Sequence, residues 1–141
     1  MRATTVSNES ERTWSGPASL LAEGPSRLKI AERRIDDVSV LILSGDIVLD
    51  DGDLALRKHV HDLVAEGRVK IVLDLAGVTH IDSSGVGMIV AKQQMVRASG
   101  GDMKLLRLTP RNERVLATMK VLPIFQLFDD EASAVRSFSR H

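Results

Sequence analysis

The stretch "VTHIDSSGVGMIV", residues 78–90, decides how this chain is read. Val78 and Ile81 lead into an acid, two serines and a glycine, and an apolar run at helical spacing opens at once. Hydroxyls at a strand-to-helix junction have four chemical uses. They can supply a nucleophile, cradle a phosphate, cap the helix or accept a phosphoryl group.

Working outward, "VKIVLDLAGV" (69–78) is apolar apart from Lys70 and Asp74, the pattern of a strand buried on both faces. A helix is expected from about Ser84 to Ala98, ending at Gly100-Gly101. Upstream, "RLKIAERRI" (27–35) and the β-branched run "VSVLILSGDIV" (38–48) flank Asp36-Asp37, which predicts an antiparallel hairpin, with Gly45 closing the regular part of the second strand. Asp50, Asp51 and Asp53 place negative charge at the start of a helix carrying Leu56, Val60, Leu63 and Val64 on one face, with Gly67 as its stop. Downstream, "MKLLRL" (103–108) reads as a strand. Thr109-Pro110 supplies a cap and a first-turn proline for a helix with Val115, Leu116 and Met119. "PIFQLF" reads as a short last strand, and Asp129, Asp130 and Glu131 open a last helix with Ala132, Val135 and Phe138. The order ββαβαβαβα predicts a single α/β domain. Its sheet is mostly parallel with an antiparallel N-terminal edge strand, and it carries about four helices. Residues 1–25, rich in Ser, Thr, Gly and Pro and holding the lone Trp14, are expected to form a flexible tail ahead of a domain at 26–141.

Composition narrows the function. A chain of 141 residues suits one domain, and 43 % hydrophobic with 27 % charged residues is a globular balance. Nineteen basic residues match nineteen acidic ones, so no overall field draws the chain to nucleic acid or to an anionic membrane. Aromatics at 3 % leave few platforms for stacking bases or sugars. The absence of cysteine excludes disulfides, thiolate chemistry and Cys-based zinc sites. No apolar run approaches the ~20 residues of a membrane span, and the N-terminus has no signal-peptide core, so a cytoplasmic location is expected.

The chemical alternatives at 80–87 separate by what each requires. A hydrolase elbow needs G-x-S-x-G, and Ile81 or Asp82 stands where the leading glycine belongs; His80 is too near in sequence to serve easily as base, and His59, His61 and His141 have no evident partner. "GVG" (85–87) completes neither phosphate-loop pattern. His59 and His61, two apart on a helix, diverge and make no metal pair. Asp82 or Ser83 as a helix cap accounts for about 1 kcal/mol. Capping leaves Gly85 and Gly87 unexplained, each costing about 1 kcal/mol against alanine in a helix. Glycines there imply close approach by another chain or a backbone that adjusts. Val86, Met88, Ile89 and Val90 make this end apolar nearly all round, enough for the core with a surplus for an exposed contact.

At this point "HIDSSGVGMIV" resembles the STAS domain, and within it the bacterial anti-sigma factor antagonists. The likeness extends through "LSGDI", "KIVLDLAGVTHIDSSGVG", "GGDMKLLRLTP" and "FDDEASAVRSF", roughly residues 27–138. The resemblance implies a non-enzymatic switch with no cofactor of its own. Its phosphoacceptor is Ser83, modified by a histidine-kinase-like ATPase that is both anti-sigma factor and serine kinase, and restored by a serine phosphatase. Unphosphorylated, the domain binds the anti-sigma factor and frees sigma. Asp46, Asp50, Asp82, Ser84, Gly85, Val86, Gly87 and Met88 form the expected surroundings of the phosphosite and partner contact. Ser84 is the rival acceptor, one position further into the helix. The chain departs from the usual Gly-acid-aliphatic-acid pattern at Val48, with Asp46 and Asp50 as substitutes. The competing reading is a constitutive, unphosphorylated STAS adaptor in a signalling scaffold or lipid-transport complex.

Overall fold

Two charged residues, Asp36 and Asp37, do turn the chain between two paired strands in the computed structural model, which describes residues 28–48 and 51–139. The expected tail (1–25) and Asp50 lie outside the described residues. Strand β1 (Leu28–Ile35) pairs antiparallel with β2 (Val38–Ile47), with Ile35 directly opposite Val38. So tight a turn needs a left-handed residue, and Asp36 takes it at φ 55°.

The remaining elements follow as α1 (Asp51–Ala65), β3 (Lys70–Ile81), α2 (Ser83–Ala98), β4 (Asp102–Leu106), α3 (Pro110–Thr118), β5 (Leu127–Phe128) and α4 (Glu131–Arg136). Single 3₁₀ turns occupy Leu122–Ile124 and Ser137–Ser139. The sheet order is β1-β2-β3-β4-β5, with every pair after the first parallel. The α/β class, the antiparallel edge and the four helices match the sequence reading.

Alternation within the central strands splits the core into two layers. Leu41, Leu43, Ile47, Ile71, Leu73 and Leu105 pack with Leu56, Val60 and Leu63 of α1, Val86, Ile89 and Val96 of α2, and Leu116 of α3. Val38, Val40, Val72 and Leu106 face the other way, onto Ala134 of α4 with Phe128, Val135 and Phe138 around it. The near-continuous apolar run in β3 reflects this double burial.

Three expectations need revising. β3 does not stop at Val78 but continues through Thr79 and His80 to Ile81. A register shift absorbs one extra residue of β3 between Asp74 and Gly77: Ile42 faces Asp74, but Ser44 faces Gly77. A β-carbon on Gly77 would lie 2.9 Å from the Leu43 carbonyl oxygen, so only glycine lets the strand pass there. β2 likewise runs beyond Gly45, which takes φ 109° beside a second irregularity, to Ile47. "PIFQLF" is mostly not strand: Leu122–Ile124 coils into a 3₁₀ turn and only Leu127 and Phe128 pair with β4. Proline at 123 has no N–H to give a ladder.

Candidate functional site

The extra residues of β3 matter because they deliver the chain straight into α2. Asp82 alone separates strand from helix, with extended backbone (φ −94°, ψ 179°). Its carboxylate Oδ1 accepts the Gly85 N–H at 2.8 Å, and its own N–H donates to the Ile47 carbonyl at 3.3 Å. Asp82 is therefore the N-cap, and it also ties the helix start to the end of β2.

Gly85 explains how the two backbones come so close. A β-carbon there would lie 2.2 Å from the Ile47 carbonyl oxygen, so the close approach read into this glycine is made by the chain's own strand β2. Gly87 differs: it is exposed, and nothing stands within 4 Å of a β-carbon built on it.

Ser83 is the first residue of α2 and its side chain is exposed at the carboxyl edge of the parallel strands, where open α/β sheets place their sites. Among the described residues its hydroxyl makes no hydrogen bond. Ser84 is half-buried one position on. Val86 and Met88, expected beside the partner contact, are 1 % and 5 % exposed and pack in the main core. With Ile89 also buried, the apolar end of α2 is consumed by the sheet and leaves Val90 half-exposed as the surplus.

Asp46, at the end of β2, is half-buried and stands opposite His80 in the ladder. Val48 lies half-buried in the bend that follows. His80 is in turn held by Arg111, whose Nη2 lies 3.1 Å from Nδ1. Arginine can only donate, so Nδ1 accepts and the ring proton sits on Nε2. The beginning of α3 is pinned in place by buried Asn112, whose amide donates to the Val78 carbonyl at 3.0 Å, and by Thr109, which caps the Asn112 N–H. Three elements thus meet at one edge and bring Asp46, His80, Asp82, Ser83 and Arg111 into one neighbourhood. Arg111 was missed in sequence because 31 positions separate it from His80; only the Thr109-Pro110 helix start hinted at which residues would face the edge.

The arrangement constrains the chemistry. His80 is engaged by Arg111 and not by Ser83, so no serine–histidine pair is assembled among the described residues. Nor, among those residues, do three His, Cys, Asp or Glu side chains cluster as metal ligands. What remains is an accessible hydroxyl on a rigid helix N-terminus. It can receive a group from another protein's active site, and a phosphate there meets the positive end of the helix.

Comparison with known proteins agrees in extent with this geometry. The family model for the STAS domain matches residues 29–134. An anti-sigma F factor antagonist of Paenibacillus polymyxa is 26 % identical over 99 residues, covering 70 % of this chain and 84 % of that protein. A crystal structure of a Thermotoga maritima protein, provisionally described as an anti-sigma factor antagonist, superposes with TM-score 0.73 at 28 % identity, covering 79 % of this chain and 95 % of the other. The Bacillus cell fate determinant SpoIIAA in its phosphorylated form gives TM-score 0.62 at 19 % identity over 77 % and 98 % of the two chains, a likeness of fold.

Proposed function

Since the chain belongs to the STAS domain family, we propose that it is an anti-sigma factor antagonist, switched by phosphorylation of Ser83. Its relatives of that name support the class of function. The observation that carries the switch is the exposed Ser83 hydroxyl at the start of α2, with Asp82 already committed to capping Gly85.

The physics of such a switch is simple. Unphosphorylated, the edge around Ser83 presents an uncharged hydroxyl that a partner can cover. Phosphorylation adds about −1.5 to −2 charge next to Asp82. Within the free domain that charge is tolerated, because it remains hydrated and sits at a helix N-terminus. Under a docked partner it loses its water without assured counter-charge, and an unpaired buried charge costs about 3–5 kcal/mol. A hundredfold loss of affinity needs only about 2.8 kcal/mol. One phosphate is therefore sufficient to dissociate the complex. In this reading the partner is an anti-sigma factor of the histidine-kinase-like type that brings ATP and Mg²⁺, a serine phosphatase reverses the modification, and the domain works in the cytoplasm without catalysing anything itself. Asp46 is the first candidate acid for orienting the kinase, with Asp50 as the second.

The constitutive adaptor is the second reading, and Val48 favours it: an aliphatic side chain occupies the place where many antagonists carry a second acid. One experiment separates the two. Each histidine-kinase-like anti-sigma factor of the source genome is purified and incubated with this chain and ATP-Mg²⁺, with intact mass as readout. The switch requires one phosphate on wild type and none on Ser83→Ala. Label that persists in Ser83→Ala refutes the site, and binding without phosphorylation by any of them selects the adaptor.

A further inference from the structure

At the carboxyl edge of the sheet a guanidinium rests on an imidazole rather than on an acid. Arg111, exposed in the first turn of α3, makes one hydrogen bond among the described residues, to His80 Nδ1 at 3.1 Å. Two carboxylates share this edge, and neither takes the arginine. Asp82 caps Gly85 through Oδ1. Asp46 is half-buried opposite His80 in the ladder and forms no ion pair with Arg111. Arginine presents five N–H groups in a planar fork that matches the paired oxygens of an anion, and a single imidazole nitrogen occupies one of them.

From this open donor set we infer that Arg111 is the counter-charge of phosphorylated Ser83: on modification its guanidinium leaves His80 and pairs with the phosphate. The inference rests on the reading of Ser83 given above and adds the group of the same chain that receives the new charge. Position supports it. The start of α3 is fixed to β3 by Asn112, next to Arg111, whose amide donates to the Val78 carbonyl at 3.0 Å. His80 lies three residues before Ser83, a span of at most about 11 Å when fully extended, and the turn into α2 at Asp82 shortens it. Arg111 is exposed, so no packing around its side chain opposes a turn from one acceptor to the other. Chemistry supports the exchange as well. A phosphate offers about −1.5 to −2 charge and three acceptor oxygens in place of one neutral nitrogen, and arginine engages two such oxygens at once. One guanidinium cancels only part of that charge. A docking partner therefore still meets a net anion, now with an arginine laid over it, and the pairing stabilises the modified domain without restoring the docking surface.

The full chain with phosphoserine genetically encoded at position 83 tests the pairing without any kinase. Phosphorus NMR follows the second ionisation of the phosphate, and nitrogen NMR follows the His80 ring. Arg111→Gln is expected to raise the phosphate's second pKa by about 0.5 unit relative to the otherwise wild-type chain. Arg111→Lys is expected to raise it by less, because it keeps the charge without the fork. Arg114→Gln removes an equal charge one turn further along α3 and is expected to move it by about 0.1 unit or less. The start of α2 is common to all these chains, so its own pull on the phosphate cancels in the comparison. At about pH 8.5, where an imidazole is neutral, phosphorylation should shift the His80 Nδ1 signal in the same direction as Arg111→Gln does in the unmodified chain. Circular dichroism verifies that each variant is folded. If Arg111→Gln moves the phosphate's ionisation no more than Arg114→Gln does, the pairing is refuted while the kinase test of Ser83 is unaffected. A His80 signal unmoved by phosphorylation also refutes it, because Arg111 would still be seated on the imidazole. Pairing in the encoded phosphoprotein, with no anti-sigma factor able to modify Ser83, is a failure of the switch alone.

Discussion

Two glycines separated by one residue should respond to the same substitution with opposite signs. Alanine at 85 would put its β-carbon 2.2 Å from the Ile47 carbonyl oxygen. Contact between such atoms is comfortable near 3.2 Å, so strand and helix must part by about 1 Å, and the obstacle is backbone rather than a flexible side chain. Ile47 is fully buried and its carbonyl also accepts the Asp82 N–H, so separation strains the cap as well as the core. Overpacking of this kind costs about 1–3 kcal/mol, and with the cap strain the upper part of that range applies. The helix gains about 1 kcal/mol from alanine, leaving Gly85→Ala about 1–2 kcal/mol less stable. Gly87→Ala meets nothing within 4 Å and should gain nearly the full 1 kcal/mol. With about 4 °C of melting temperature per kcal/mol in a domain of this size, the two variants should differ by about 8–12 °C. Urea denaturation and thermal melting both read this difference. If the two variants shift stability in the same direction, the geometry claimed for the helix start is wrong. Gly87 carries a second expectation. Its missing side chain faces outward beside Ser83, so the more stable Gly87→Ala should bind the anti-sigma factor more weakly.

Other groups give independent tests. Glu32 pairs with His59 at 2.7 Å and with Arg34; burial opposes its ionisation, but these hydrogen bonds prevail and lower its pKa from 4.5 to about 2. A depressed carboxyl stabilises the fold above its unfolded pKa and loses that contribution as pH falls through the folded value. Glu32→Gln should therefore cost about 1–2 kcal/mol at pH 7 after allowance for solvent screening, with the difference from wild type vanishing between pH 4.5 and 2 in urea titrations. Lys104 is a buried cation on the second core layer, 5 % exposed, 4.1 Å from the Phe138 ring centroid and 2.6 Å from Ser137 Oγ; burial lowers its pKa. Replacing it by an apolar side chain of similar length, Lys104→Met, should leave stability unchanged or raise it by about 1 kcal/mol, and a loss above about 2 kcal/mol would refute the view that its desolvation outweighs its contacts.

The legible parts of this protein were those written in periodicity and local chemistry. The double-faced apolar run of β3, the Asp36-Asp37 turn and the Thr109-Pro110 helix start all have local causes, and all formed as read. What escaped depended on pairing across the sheet. Thr79 and His80 break the apolar pattern, yet they remain strand because β2 runs alongside them as far as Ile47. Which of Val86, Met88, Ile89 and Val90 face the core was hidden, because sequence alone could not show how closely Gly85 lets α2 settle on β2. Arg111 joined the site only through the docking of α3 on Val78. The exposed place of Ser83 at a helix start, by contrast, followed from its immediate neighbours alone.

The passage from β3 to α2 through a single residue has a consequence for how such chains can vary in length. One residue inserted between Ile81 and Gly85 would rotate everything after it by about 100° around the helix axis. Val86 and Ile89 would swing outward, and a residue with a side chain would replace glycine against the Ile47 carbonyl. Chains that fold this way must hold that interval constant.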